Sequence, residues 1–151
     1  YTNDGTLNYF VGRDYYGGSM KYKNPRVSKD VVGFESMIDW NQPVILCEGV
    51  FDAIAIKRNA IPLFGKTLPP QLLKRLVQHK VKKLYLILDS DAQKDSMKIV
   101  NKLKSYQIDV NMIVLKDKDP SELGFEKTIN LIKQTKDSLS FSDIMKMKLG
   151  A

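Results

Sequence analysis

The sequence predicts an α/β fold, a roughly four-stranded parallel sheet flanked by helices and preceded by a small β-rich piece. Three observations carry this. Short, continuously apolar runs recur from residue 44 onward. Longer segments with apolar positions at helical spacing separate them. The two kinds alternate, as a parallel sheet requires, because parallel neighbours are joined only by a crossover.

The elements follow in chain order. Residues 9–34, "YFVGRDYYGGSMKYKNPRVSKDVVGF", carry a β-hairpin signal with Gly17 and Gly18 at the turn. "VILC" (44–47) is apolar without alternation, which marks a strand covered on both faces. "FDAIAIKR" (51–58) reads as a helix, and "IPLF" (61–64) as a short strand ended by Gly65. "PPQLLKRLVQH" (69–79) is a helix with proline at its tolerated first turn and Leu72, Leu73, Leu76 and Val77 on one face. "KLYLILD" (83–89) is a strand. "DSMKIVNKLKSY" (95–106) is a helix through Met97, Val100, Leu103 and Tyr106, and "VNMIVL" (110–115) the last strand. "ELGFEKTINLIKQ" (122–134) reads as one helix running through Gly124. Three units are expected: a basic, β-rich segment over 1–40, the α/β domain over 41–136, and a tail or linker to a further domain over 137–151.

Composition narrows the class. A chain of 151 residues suffices for one domain with a real core. No apolar run is long enough for a membrane helix. The single cysteine, Cys47, rules out an internal disulfide and a cysteine-based zinc site; inside an apolar run it reads as buried core. The chain opens at Tyr1 without a signal-peptide pattern, and we expect a cytoplasmic piece of a longer polypeptide, from bacterial cytoplasm or a phage-infected host. The net charge is +7, and residues 41–90 carry eight basic against three acidic side chains. That excess, around Lys74, Arg75, Lys80, Lys82 and Lys83, fits either a polyanion partner or a solvated lysine-rich face.

The strands end in carboxylates. Glu48 follows "VILC", Asp89 and Asp91 follow "KLYLIL", and Asp117 and Asp119 follow "VNMIVL". Open parallel sheets collect function at the carboxyl ends of their strands. Any one such residue is adequately explained as a helix N-cap or a loop residue. Several together would repel one another unless a cation lay between them, and hard oxygen donors suit Mg²⁺ or Mn²⁺. Alternate positions at a strand end face the same way, so Asp89 and Asp91 can reach one ion.

At these residues the sequence resembles a known family. "CEGVFDA", "FGKTL", "LDSDAQ" and "KDPSEL" are similar to the Toprim domain shared by primases, topoisomerases and some nucleases. The resemblance covers residues 43–134. Residues 9–34 resemble the stretch that precedes Toprim in DnaG-type primases, with Arg13, Lys21, Tyr22, Asn24 and Lys29 at matching places. The chain departs from that pattern in Asp89-Ser90-Asp91, where primases usually carry glycine in the middle. The resemblance implies the C-terminal part of a primase RNA-polymerase domain: a nucleotidyltransferase making short RNA primers on a single-stranded DNA template. It implies Glu48, Asp89 and Asp91 as catalytic residues, and the same three with Asp119 as ligands of Mg²⁺ or Mn²⁺. Asp52 would support them from behind. Arg13, Lys21, Asn24, Lys29 and Lys66 would bind nucleic acid or nucleotide. The implied partners are template, ribonucleoside triphosphates and a replicative helicase contacted outside this segment, with no membrane. Two alternatives use the same fold: a metal-dependent Toprim nuclease, and a non-catalytic nucleic-acid-binding module. His79, at the end of a lysine-rich helix, is better explained as a helix-terminal cation than as a catalyst.

Overall fold

The structure, a computed structural model, describes residues 1–2, 4–19, 21–57, 59–88, 92–115 and 119–135. Two short strands, β1 (Gly12–Arg13) and β2 (Tyr22–Lys23), pair antiparallel. The main body follows: β3 (Val44–Cys47), α1 (Val50–Ile56), β4 (Ala60–Pro62), α2 (Pro70–Gln78), β5 (Lys83–Leu88), α3 (Gln93–Lys104), β6 (Asp109–Val114), α4 (Pro120–Leu123) and α5 (Phe125–Gln134). β3 to β6 form one all-parallel sheet in the order β4-β3-β5-β6.

Alternation along the strands builds two cores. Val44, Leu46, Leu84, Leu86 and Val110 face Leu72 and Leu76 of α2 and Val100 and Leu103 of α3. Ile45, Cys47, Ile87 and Ile113 face Ala53 and Ile56 of α1 and Ile132 of α5. Both faces are therefore covered, which is why the strands read as unbroken apolar runs. Pro62 is tolerated because β4 is an edge strand.

The N-terminal segment is fastened to this body by long-range contacts. Val32 joins the core beneath α2 and α3. Asp30 Oδ1 accepts from the Gln71 amide at 2.8 Å, capping α2 from 41 residues away, because Pro69 at its N-cap makes no side-chain cap bond. Buried Glu35 meets Arg75 Nε at 2.5 Å. Trp40 stacks on His79 with ring centroids 4.5 Å apart, and His79 is the C-cap residue of α2. Asn59, at φ 44°, donates to the carbonyls of Asp39, Gln42 and Pro43 and accepts from the Asp39 amide, tying the entry of β3 to the turn after α1.

One expectation is corrected. The segment 122–134 is not a single helix. α4 ends at Leu123, Gly124 takes φ 76° and ψ 175°, and α5 starts afresh at Phe125. Only glycine enters that region without strain, so the residue read as a tolerated interruption is a corner.

Candidate active-site cleft

The spacing Glu48-Gly49-x-x-Asp52 has a direct geometric reason. Glu48 follows β3 and Gly49 is the N-cap of α1, with Asp52 in that helix's first turn. Asp52 Oδ2 accepts from the Gly49 amide at 3.0 Å. A Cβ at position 49 would stand 3.0 Å from that same oxygen, so a side chain there crowds the carboxylate that caps the helix. The other oxygen, Oδ1, accepts from the Ser121 amide at 3.3 Å. Ser121 belongs to the turn that Asp119 organises: Asp119 Oδ1 accepts from the Glu122 amide at 2.8 Å and from Ser121 Oγ at 2.7 Å, capping α4. Asp52, 8% exposed, thus couples the turn after β3 to the turn before α4.

The opposite wall comes from the N-terminal segment. The Arg13 guanidinium lies 5.2 Å from the Phe51 ring centroid and 5.8 Å from that of Tyr22, holding the hairpin against the start of α1. Tyr9 packs on Phe64 with centroids 4.8 Å apart. Phe64 sits at φ 56°, an uncommon conformation for an aromatic residue, and its carbonyl accepts from Lys29 Nζ at 3.0 Å. Next to it, the Gly65 amide donates to the Glu48 carbonyl at 3.3 Å. Between the walls lies a cleft of about 490 Å³ whose lining includes Arg13, Lys21, Asn24 and Lys29 on one side and Glu48, Asp52, Asp119 and Glu122 on the other.

A model of the family described as Toprim-like matches residues 45–124. The chain belongs to the Toprim-like family. Its fold is similar to that in the crystal structure of the Aquifex aeolicus primase (zinc-binding and RNA polymerase domains): the TM-score is 0.73 at 23% identity, over 89% of this chain and 38% of that one. Among curated proteins it is 33% identical over 100 residues to an uncharacterized protein of Mycoplasma genitalium, covering 60% of this chain and 46% of that one. It is 29% identical over 126 residues to the Mycoplasma pneumoniae homologue, covering 78% and 59%. The chain thus spans about half the length of the curated relatives it matches.

Within this Toprim domain the fold brings most of the anticipated side chains together. Glu48, Asp52, Asp119, Arg13, Lys21, Asn24 and Lys29 all line the one cleft. Lys66 does not line it; its charge reaches Asp95 at the start of α3, whose carboxyl is held below its ordinary value first by the Lys98 hydrogen bond and charge, and lastly by Lys66. Asp89, Asp91 and Asp117 lie outside the described residues. β3 and β5 are neighbours, with Cys47 paired to Ile87, and Glu48 and Leu88 are the next residues along the two segments. Among the described residues no group of three or more acidic, histidine or cysteine side chains is close enough to hold one ion. The donors that line the cleft nevertheless suit a hard cation: they are carboxylates, with Oε2 of Glu48 sealed from solvent, and the lining includes neither imidazole nor thiol. Burial, reinforced by the charge of Asp52, pushes the Cys47 thiol well above its ordinary range, so it stays a protonated core residue.

The sequence reading did not single out Phe51, Phe64, Ser121 or Glu122, all of which line the cleft. Each stands inside or beside a motif. Phe51, Phe64 and Ser121 make their contacts to the N-terminal segment or to Asp52, which leaves no signature in local spacing. Glu122, by contrast, lies three residues after its cap Asp119, a local spacing that could have found it.

Proposed function

We propose that this chain carries the Toprim catalytic domain of a primase, which makes short RNA primers on single-stranded DNA by metal-dependent nucleotidyl transfer. The supporting observation is the cleft itself, where Arg13, Lys21 and Lys29 share the lining with the carboxylates of the Toprim core. A nuclease built on the same core needs the carboxylates but has no evident need for that basic wall.

In this reading Glu48, Asp89, Asp91 and Asp119 hold Mg²⁺ or Mn²⁺, which when bound offsets charge on the triphosphate and on the reacting phosphorus. In the sequence Asp89 and Asp91 follow Leu88, the last residue of β5, and β5 is the neighbour of β3, the strand that Glu48 follows. Glu48 either ligates or accepts the proton of the attacking 3′-hydroxyl, and the bond to the departing pyrophosphate breaks as the new phosphodiester forms. Arg13 and Lys21 bind phosphates of template or nucleotide, and Asn24 donates or accepts hydrogen bonds beside them. Lys29 holds the Phe64 turn and lends its charge to the same wall. Asp52 positions the Glu48 and Asp119 turns by its two backbone bonds. The division into units near residues 40 and 136, the cytoplasmic setting and a helicase contact outside residues 1–151 belong to the same proposal. Among the described residues no helix is long and apolar enough to cross a membrane.

The test is primer synthesis on single-stranded DNA with ribonucleoside triphosphates and Mg²⁺ or Mn²⁺. Wild type should extend, and Glu48→Gln and the double variant Asp89→Asn/Asp91→Asn should not, while all three stay folded by circular dichroism. Cleavage of the template in place of synthesis would favour the nuclease, and full synthesis by the double variant would sink the metal assignment.

A further inference from the structure

The hairpin joining β1 to β2 ends in a pair of aromatic rings that the cleft does not use. Tyr15 is 91% exposed and Tyr16 94%. At that exposure neither ring is packed; they touch each other edge-on, with centroids 5.6 Å apart and planes at 84°. Hairpin tips favour glycine, asparagine, aspartate and serine, so two adjacent tyrosines meet no requirement of the turn. The loop is nonetheless built to hold them out. Asp14 Oδ1 accepts from the Tyr16 amide at 2.9 Å, and its Oδ2 accepts from the Gly18 amide. Gly17 supplies φ 77°, and a Cβ on Gly18 would stand 2.7 Å from Asp14 Oδ2.

The rings' surroundings define what they fit. Residues 12–26 carry Arg13, Lys21, Lys23 and Arg26 against the single acid Asp14, whose oxygens accept those loop amides. Arg13 and Lys21 line the cleft, and the Asp14 amide donates to the Lys21 carbonyl at 3.0 Å where the loop closes. Tyr15 and Tyr16 follow Arg13 by two and three residues, so no more than roughly 7 and 11 Å of chain separate them from that phosphate-binding wall. A basic track beside exposed rings is how unpaired nucleic acid is gripped: cations follow the backbone and flat rings stack on bases. A duplex offers no free base faces, and an acidic peptide would use the cations without the rings.

We propose that Tyr15 and Tyr16 form a stacking platform for the bases of a single-stranded nucleic acid at the rim of the cleft. This rests on the reading that the cleft receives nucleic acid, but not on the polymerising chemistry. A strand anchored by its phosphates on Arg13 and Lys21 would lay neighbouring bases on the two rings, fixing where it enters or leaves.

The experiment is equilibrium binding of fluorescent oligonucleotides to the 151-residue chain, with no nucleotide present, as a function of salt. The probes are oligo-dT, oligo-rU, an abasic strand of the same length and a duplex. Tyr15→Ala and Tyr16→Ala should each weaken binding of an intact single strand about tenfold, which corresponds to roughly 1.4 kcal/mol. The salt slope should not change, because no phosphate contact is lost. Tyr15→Phe and Tyr16→Phe should bind as wild type. The abasic strand and the duplex should not distinguish alanine variants from wild type. Loss on dT or on rU supports the platform, and the affected strand says whether template or RNA lies there. Alanine variants within twofold of wild type on both intact strands, or losing the abasic strand equally, overturn it. So does a wild-type chain that binds no single strand, or a self-association seen by sedimentation that the alanine variants abolish. Tyrosine-dependent binding without primer synthesis would refute the primase and leave the platform standing. Primer synthesis with tyrosine-independent binding would do the reverse.

Discussion

Replacing Asp52 by asparagine tests whether one carboxylate holds the two sides of the carboxylate wall together. The aspartate accepts from the Gly49 amide through one oxygen and from the Ser121 amide through the other. Asparagine has a single acceptor oxygen, so its amide nitrogen must face one of those N–H groups. One backbone donor then loses its partner in a largely buried place, at a cost of about 1–3 kcal/mol, and the remaining bond loses its charge assistance, worth about 1 kcal/mol more. Removing a buried charge returns part of this. The net expectation is a loss of about 2 kcal/mol. With a urea m-value of about 2 kcal/mol/M for a domain this size, the midpoint should fall by roughly 1 M with m unchanged. Asp52→Ala, which strands both amides, should fall further. Hydrogen exchange at Gly49 and Ser121 supplies a local readout: one of the two should lose protection in the asparagine variant and both in the alanine variant. If Asp52→Asn matches wild type in midpoint and in protection at both amides, the coupling is not what holds these turns.

Three further outcomes follow from the geometry. Lys21→Ala should weaken single-stranded DNA binding and reduce its log–log salt slope by about one, whereas Lys29→Ala should also lower thermal stability, because Lys29 anchors the Phe64 carbonyl; equal stability of the two variants would contradict that distinction. Gly33→Ala would place a Cβ 2.6 Å from Pro62 Cγ and 3.0 Å from Phe64 Cζ, so it should cost about 1–3 kcal/mol in urea unfolding, and a neutral result would mean that the N-terminal segment does not dock this closely on β4. The Cys47 thiol is raised in the folded state, so its contribution to stability is complete below the unfolded thiol value of about 8.5 and is lost as pH rises from there through the folded value. Wild type should therefore lose stability above about pH 8.5 more steeply than Cys47→Ala, by up to about 1.4 kcal/mol per pH unit, measured as urea midpoints from pH 7 to 10.

Much of the fold could be read because its signals are local. "VILC" and "KLYLIL" are apolar without alternation because helices cover both faces of the sheet, and the strands form where those runs lie. Gly49 and Asp52 stand three apart because the second caps the amide of the first. Gly124 was legible as a glycine but not as a corner, since a helix tolerates one glycine and only the backbone angle separates the cases. The docking of the N-terminal segment was not legible at all. Asp30 on Gln71, Glu35 on Arg75 and Gly33 on Pro62 join residues 29 to 41 positions apart, and no periodicity records such pairs.

The carboxylates show how a structural and a chemical explanation of one residue type divide the work. An aspartate after a strand is commonly a helix cap, and Asp52 and Asp119 are both caps here. That does not remove them from the cleft, whose lining includes both. It means that their positions are set by backbone amides before any ligand arrives, which is the condition for a site that need not reorganise to bind charge. Glu48 stands differently. It follows β3 directly, its carbonyl accepts from the Gly65 amide, and its Oε2 is sealed from solvent. The two aspartates therefore carry the architecture of the carboxylate wall, and in the proposed primase reading the glutamate is the residue whose charge serves the chemistry. For that reason Glu48→Gln, with the shape kept and the charge removed, separates turnover from stability more cleanly than any substitution at Asp52 or Asp119.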